Sequence, residues 1–317
     1  MKSVIVGFGG ALPTKCIKND DLPATLDTSD EWISRRTGIK QRFVISDGEN
    51  TSTLATKAAQ DALGFAKVSA DEIDLVIVGT TTGDYAFPAT ACVVQKNLGI
   101  KNCCPAFDVS AACSGFIYAL NIADSFIQSK KAKCALVIGA DCFSRILDWN
   151  DRSTCVLFGD GAGAVVVKAE ENTDKGVQYC KIHADGTYSD VLRTQDGVSA
   201  TNPSGCVLSQ GREVFKFAVE KFQESFDTLL KENNLIADDI DLIIPHQANL
   251  RILNKFAEIA NIDPSKIVIT IDKHSNTSAA TIPLALNEVK NQLPNKGNVV
   301  LLSMGAGFTW GAMLIKF

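Results

Sequence analysis

Eight residues of this chain occur twice. Ala70-Asp71-Glu72-Ile73-Asp74-Leu75-Val76-Ile77 returns 167 residues later as Ala237-Asp238-Asp239-Ile240-Asp241-Leu242-Ile243-Ile244, with conservative exchanges only. After each octet the periodicity predicts a helix, a strand ending in Asp (Asp108 and Asp272), a small polar segment, a helix and another strand. A repeat on this scale points to a duplicated unit, and 317 residues suffice for two modest domains.

The first half alternates short β-rich runs with helical ones. Val4 to Gly7, Leu75 to Val78, Ala106 to Val109, Ala135 to Gly139 and Ala164 to Lys168 read as strands. Between them lie a helical stripe from Leu54 to Leu63 behind a Thr51/Ser52 cap, a helix from Ala89 that stops at Gly99, and a helix from Ser114 to Gln128. The last buries Phe116, Ile117, Leu120, Ala123 and Ile127 on one face. This β-α-β-α-β-α-β-β order predicts an α/β fold with a buried, mostly parallel sheet. The second copy opens with a helix from Val214 to Asn233. We place the division at 1–170 and 171–317. The stretch from Glu170 to Gly211, rich in Gly, Ser, Thr and Asp, reads as the link between halves, with short strands or a lid.

Composition narrows the function. A net charge of −5 argues against general nucleic-acid binding, and no apolar run is long enough to span a bilayer. The amino terminus lacks a signal-peptide pattern and no C-x-x-C pair exists. The 10 cysteines therefore read as buried thiols of a cytoplasmic protein without structural zinc. Gly7-Phe8-Gly9-Gly10 follows a strand, but Leu12 and Pro13 stand where a dinucleotide loop needs its last glycine and its helix. Phe158-Gly159-Asp160-Gly161-Ala162-Gly163 precedes a Val-rich strand and reads as a structural turn.

In open α/β sheets, sites form beyond the carboxyl ends of strands. Asp108-Val109-Ser110-Ala111-Ala112-Cys113-Ser114-Gly115-Phe116 puts Cys113 there, at a helix N-terminus that favours a thiolate. Among three histidines, His246 in Pro245-His246-Gln247-Ala248-Asn249-Leu250-Arg251 ends a buried strand, where a neutral imidazole can donate to a carbonyl or exchange protons with a thiol. In His274-Ser275-Asn276-Thr277-Ser278, the Asn276 amide can donate to a developing enolate oxygen. Taken singly, each has a plainer reading as a buried thiol, a satisfied histidine or a helix cap.

These segments, together with Gly305-Ala306-Gly307-Phe308-Thr309-Trp310-Gly311, resemble in order and spacing the β-ketoacyl-acyl carrier protein synthase III family, from Gly7 to Phe317. The resemblance implies a thiolase-like fold of two duplicated halves in α-β-α-β-α layers. It also implies an acyltransferase that condenses an acyl-CoA, acetyl-CoA by default, with malonyl-acyl carrier protein. Cys113 matches the nucleophile. His246 and Asn276 match the pair that binds the malonyl thioester and stabilises its enolate. The N–H groups of Cys113 and Ala306 match the oxyanion hole, although many relatives carry Gly at the latter position. No metal or other cofactor is implied.

The same resemblance gives binding residues. Trp32 would stack on the CoA adenine with Arg152 on the purine's other face, and Thr28 and Arg36 would lie near the pantetheine or phosphates. Phe215, Ala248 and Asn249 would line the pantetheine tunnel. Phe87 would reach the acyl pocket of the other subunit of a homodimer. Lys216, Arg251 and Lys255 would form the basic landing zone for acyl carrier protein. Glu258 and Ile259 stand where the family often has a basic pair, and Ser275 where it commonly has Gly. A degradative thiolase, with a second cysteine near its C-terminus, fits less well, since the last cysteine is Cys206. A synthase that primes a secondary metabolite and a non-catalytic thioester-binding protein are the alternatives.

Overall fold

A computed structural model of the chain describes residues 1–199 and 205–317. In it both octets open with one 3-10 turn, Ala70–Glu72 and Ala237–Asp239. The last carboxylate of each turn accepts the backbone N–H three residues back, Glu72 from Ser69 at 2.9 Å and Asp239 from Ile236 at 2.8 Å. The next aspartate of each octet does a second, shared job. Asp74 accepts from the N–H groups of Lys133 and Cys134 at 2.8 and 3.0 Å, and Asp241 from those of Gly297 and Asn298 at 2.8 and 2.9 Å. In both halves the carboxylate ties the start of one strand to the start of its parallel neighbour. The repeated sequence encodes a repeated set of hydrogen bonds.

The sheets repeat as well. The first runs Lys2–Ala11, Asp160–Glu170, Cys134–Cys142, Leu75–Gly79, Ala106–Val109. The second runs Gly176–Ala184, Thr309–Lys316, Asn298–Gly305, Leu242–Pro245. Taken in that order, neighbours pair antiparallel, antiparallel, then parallel in both sheets. The first sheet adds Ala106–Val109 in parallel at its end. At the same place the second has only a parallel bridge between Ile243 and Ile267. The strand expected to end at Asp272 is therefore not formed, and Asp272 lies in the short helix Ile271–His274. Its backbone finds a side chain instead: Gln247 donates to Val268 O at 3.0 Å and accepts from Thr270 N at 2.9 Å.

Two further expectations are corrected. Gly176–Ala184 is a full strand of the second sheet, not part of a linker. A bulge opposite Leu314 and Ile315 breaks its alternation, so Val177 before it and Cys180 and Ile182 after it face one core. The helix Thr51–Ala66 is capped by Asn50, whose side chain accepts from Thr53 N, and not by Thr51 or Ser52. The Gly7-Phe8-Gly9-Gly10 segment lies inside the edge strand Lys2–Ala11.

Between the sheets lie two helices, Gly115–Gln128 and Thr281–Val289. Phe116, Ile117, Leu120, Ala123 and Ile127 of the first share one core with Ile282 and Leu286 of the second. That core also takes Leu75, Ile77 and Val137 from one sheet and Leu242, Ile244, Val299 and Leu301 from the other. Thr51–Ala66 and Thr90–Leu98 cover the outer face of the first sheet, and Gly211–Asn233 and Leu250–Ile259 that of the second. The layers therefore run α-β-α-β-α. The inner helices touch down close to the strands. A Cβ on Gly79 would lie 2.5 Å from the Gly115 carbonyl carbon, and one on Gly139 only 2.2 Å from Ala279 O. Glycine at these two strands lets both helix starts, and the turns before them, meet at the seam.

Candidate active site

Cys113 sits in the 3-10 turn Ala112–Ser114, which enters the helix Gly115–Gln128. Ala112 holds a left-handed φ of 45° to make the turn. The second half clamps it. Ser303 Oγ donates to Cys113 O, Thr309 Oγ1 to Ala111 O, and Ser114 Oγ to Thr309 O, each at 3.0 Å. A Cβ on Gly305 would meet Cys113 N at 2.8 Å, so the strand Asn298–Gly305 ends against the backbone of the cysteine. Ala306, next in the chain, lines a cavity together with Cys113, Ser110 and Ala112.

The thiol is buried, and burial pushes it up to about 12. Desolvation outweighs the helix N-terminus here. The thiolate expected from position alone is not the resting form, and the thiol must surrender its proton during any reaction.

His246 follows the strand Leu242–Pro245 and is buried. Burial drives the imidazole down to about 3, so it is neutral at physiological pH. Its Nδ1 lies 2.7 Å from Thr281 Oγ1. Asn276 is held differently. Its N–H donates to Leu157 O and its O accepts from Gly159 N, both at 3.0 Å. The glycine-rich segment that reads as a mere turn thus pins the asparagine backbone. A Cβ on Gly159 would come 2.4 Å from Ser275 Oγ. Asn276 Oδ1 accepts from Ser278 N at 2.9 Å. With the oxygen occupied, the amide nitrogen Nδ2 is left as the donor.

Cys113, His246 and Asn276 line one cavity of about 150 Å³, whose wall also includes Phe215, Ala248 and Asn249. A second cavity, of about 290 Å³, shares Cys113 and is walled by Thr81, Phe143, Ile146, Leu192 and Val207. The thiol therefore stands between two cavities, the second of which also has Ser110, Arg193 and Thr194 in its wall. Arg251 lies 5.6 Å from the Phe215 ring, at the rim of the first cavity.

Other expected residues lie apart from this centre. The Trp32 indole has the Arg36 and Arg152 guanidiniums 4.9 and 4.8 Å from its centroid. Arg152 also donates to Asp27 O and pairs with the Asp27 carboxylate at 3.5 Å. Arg152 thus occupies the indole directly, and a purine stacking between the two must displace it. Thr28 Oγ1 is buried without a partner among the described residues. Lys255 is paired with Glu258 at 2.9 Å. Lys216 lines a different cavity with Glu213 and Glu220. Of the three basic residues, none lines the first cavity, and Arg251 approaches it through the Phe215 ring. Phe87 is 86% exposed and is not in the wall of either cavity.

Four residues of the site were not legible beforehand. Thr281 and Ser278 act on His246 and Asn276 through single atoms. Met304 joins the cavity wall from the end of a buried strand. Asp141, fully buried, accepts from Thr81 N at 2.9 Å and Thr82 Oγ1 at 2.8 Å in one half and from Ala279 N at 3.3 Å in the other, joining the halves at the seam. An aspartate inside the apolar run Cys134–Cys142 was the available signal for the last. Of the cysteines expected to be buried, Cys16 and Cys103 are exposed, and all 10 are free thiols.

Among the described residues no helix is long and apolar enough to cross a membrane, and no three metal-ligating side chains gather. Residues 107–186 match the family described as 3-Oxoacyl-[acyl-carrier-protein (ACP)] synthase III, and residues 230–317 match its C-terminal part. The β-ketoacyl-[acyl-carrier-protein] synthase III of Rhodospirillum centenum is 51% identical over 100% of this chain and 99% of its own. The crystal structure of 3-oxoacyl-[acyl-carrier-protein] synthase III from Aquifex aeolicus superposes with a TM-score of 0.94 at 45% identity, over 99% of this chain and 100% of that one. The Pseudomonas aeruginosa enzyme superposes with a TM-score of 0.93 at 39% identity, over 100% and 98%. With its thiolase fold and full-length identity, the chain belongs to the β-ketoacyl-[acyl-carrier-protein] synthase III family of acyltransferases.

Proposed function

We propose that this chain is the initiating condensing enzyme of type II fatty acid synthesis. It joins an acyl-CoA, acetyl-CoA by default, to malonyl-acyl carrier protein and releases CoA, carbon dioxide and a 3-ketoacyl-acyl carrier protein. The meeting of Cys113, His246 and Asn276 in the wall of one cavity carries this reading.

In the first half-reaction the Cys113 sulfur attacks the acyl-CoA carbonyl and CoA leaves. The N–H groups of Cys113 and Ala306 serve as the oxyanion hole, consistent with the approach of Gly305 to Cys113 N. In the second, the malonyl thioester lies beside Asn276 and His246. Loss of carbon dioxide gives an enolate held by the Asn276 amide, which attacks acyl-Cys113. The scheme uses no metal or redox group.

Phe215, Ala248 and Asn249 hold the pantetheine arm, and Thr28, Trp32, Arg36 and Arg152 the nucleotide end of CoA. The second cavity, with Phe143, Ile146, Leu192 and Val207 in its wall, takes the acyl chain, with Phe87 of a second copy closing it in a homodimer. The high exposure of Phe87 in the single chain supports that role. Acyl carrier protein docks at Arg251, with Lys216 and Lys255 at the periphery. The halves 1–170 and 171–317 are the two copies of the fold, and the enzyme works in the cytoplasm.

The test is an assay of purified protein with malonyl-acyl carrier protein and a panel of acyl-CoAs, beside Cys113→Ala. A 3-ketoacyl product from acetyl-CoA, absent in the variant, is the expected result. A folded dimer that condenses no acyl-CoA would sink the reading in favour of a binding or secondary-metabolic role.

A further inference from the structure

We propose that Arg42 is a positioning residue that holds two parts of the site at once, the turn that anchors Asn276 and the helix that carries Trp32. The inference rests on the function proposed above, which assigns those two parts to different substrates. Arg42 lies in the strand Gln41–Val44 and is fully buried. Its acceptors among the described residues are all neutral oxygens: Asn19 Oδ1 at 2.7 Å, Val156 O at 3.1 Å and Ile17 O at 3.4 Å. Its Nε is buried without a partner among them. Burial lowers the guanidinium to about 10, so it keeps its charge at physiological pH. A buried cation set against neutral oxygens alone is costly, and an apolar side chain would fill the space at less cost. What the cation adds is a pair of directed, charge-assisted hydrogen bonds.

The Val156 arm leads to the asparagine. Leu157, the next residue, accepts from Asn276 N through its O, and Gly159 N donates to Asn276 O, both at 3.0 Å. The strand of Arg42 closes on the same turn: a Cβ on Gly159 would lie 3.1 Å from Phe43 O and 3.2 Å from Arg42 Cβ. The Asn19 arm leads to the helix Asp30–Thr37. With its Oδ1 taken by Arg42, Asn19 uses Nδ2 to donate to Asp30 Oδ1 and to Ile39 O, each at 2.8 Å. Asp30 stands in the first turn of that helix and Ile39 just past its Gly38 cap. Both ends of the segment with Trp32 and Arg36 are therefore tied to Asn19. One guanidinium nitrogen, Nη2, serves both arms.

The arms answer to different substrates. The helix with Trp32 meets the nucleotide of CoA, and acyl carrier protein presents its thioester without that nucleotide. Asn276 meets the malonyl thioester. A loss at Arg42 therefore reaches both half-reactions, whereas a loss at Asn19 reaches the acyl-CoA side. Lysine at position 42 keeps the charge but replaces a planar fork with a point donor, which does not hold Val156 and Asn19 in one geometry.

The experiment compares full-length wild type, Asn19→Ala and Arg42→Lys, with circular dichroism and denaturant midpoints as the folding control. Calorimetry gives the affinity for CoA. Acylation is followed with acetyl-CoA and with acetyl-pantetheine, which lacks the nucleotide. Carbon dioxide release by pre-acetylated enzyme gives condensation. For Asn19→Ala we expect about tenfold weaker CoA binding and a similar rise in KM for acetyl-CoA, with acetyl-pantetheine acylation and condensation close to wild type. For Arg42→Lys we expect the same weakening together with about tenfold lower kcat for condensation and little change in KM for malonyl-acyl carrier protein. Equal loss of acylation from acetyl-CoA and acetyl-pantetheine in Asn19→Ala overturns the proposal, because the effect is then a general loss of structure. So does a folded Arg42→Lys with wild-type CoA affinity and condensation rate. Should Arg42→Lys fail to fold, the comparison of the two acyl donors in Asn19→Ala decides. Wild-type protein that forms no 3-ketoacyl product defeats the proposed function instead, and the CoA affinity of Asn19→Ala then tests the network by itself.

Discussion

The turns that carry Cys113 and Asn276 stand at corresponding places in the two halves, and they differ in what they keep. Each follows the parallel edge of its sheet, contains a residue with left-handed φ (Ala112 at 45°, Ser278 at 53°), and runs through a 3-10 turn into an inner helix. The first half has a complete edge strand, and its turn carries the Cys113 thiol. The second half has lost that strand to a bridge at Ile267, and the freed segment supplies Asn276, with its backbone pinned to Leu157 and Gly159 of the other half. Duplication gives two helix starts at one seam, and divergence gives them opposite chemistry. One carries the Cys113 thiol, the other the Asn276 amide.

The sharpest way to break this comparison is to remove one member at a time. Cys113→Ala is expected to bring acyl-enzyme formation and overall turnover to background, read by intact-protein mass and product assay. Asn276→Ala is expected to cost about 10²–10³-fold in kcat for condensation while CoA release in the first half-reaction stays near wild type. Equal loss in both half-reactions would mean that the two turns do not divide the work.

Asp74 and Asp241 offer a structural counterpart. Each bonds two backbone N–H groups at the start of a strand. Asp74→Ala and Asp241→Ala are each expected to destabilise the protein by about 1–3 kcal/mol in denaturant titrations. A large effect in one half and none in the other would break the structural equivalence.

A smaller effect concerns pH. The buried His246 stays neutral down to about pH 3, whereas an unfolded histidine binds a proton near its ordinary value of 6.5. Between those values the unfolded state holds more protons, so stability falls as pH drops below about 6.5. His246→Gln is expected to flatten the slope of unfolding midpoint against pH between about 6.5 and 4. An unchanged slope would show that the imidazole is solvated in the folded protein.

Much of the fold was legible because it is written in periodicities. The octets, the Gly115–Gln128 stripe and the strand Ala106–Val109 all keep a regular pattern. Gly176–Ala184 was not, because one bulge moves its apolar residues from one parity to the other. The segment before Asp272 was not, because the Gln247 side chain takes the place of ladder hydrogen bonds. The three central residues could be named from motifs, but their states could not. The neutral thiol of Cys113 comes from three-dimensional burial. The donor face of Asn276 comes from Ser278 N, and the contact that holds His246 Nδ1 comes from Thr281 Oγ1. Arg152 against Trp32, and Lys255 against Glu258, likewise depend on side-chain neighbours that spacing alone does not fix.

The division of labour between the two turns is tested most directly by peptide mass spectrometry of Asn276→Ala and wild-type protein, each given acetyl-CoA and then malonyl-acyl carrier protein. The expected result is one acetyl group on the Cys113 peptide in both proteins, discharged on adding the second substrate in the wild type and retained in the variant. An acetyl group on another residue, none at all, or equal discharge from both proteins would contradict it.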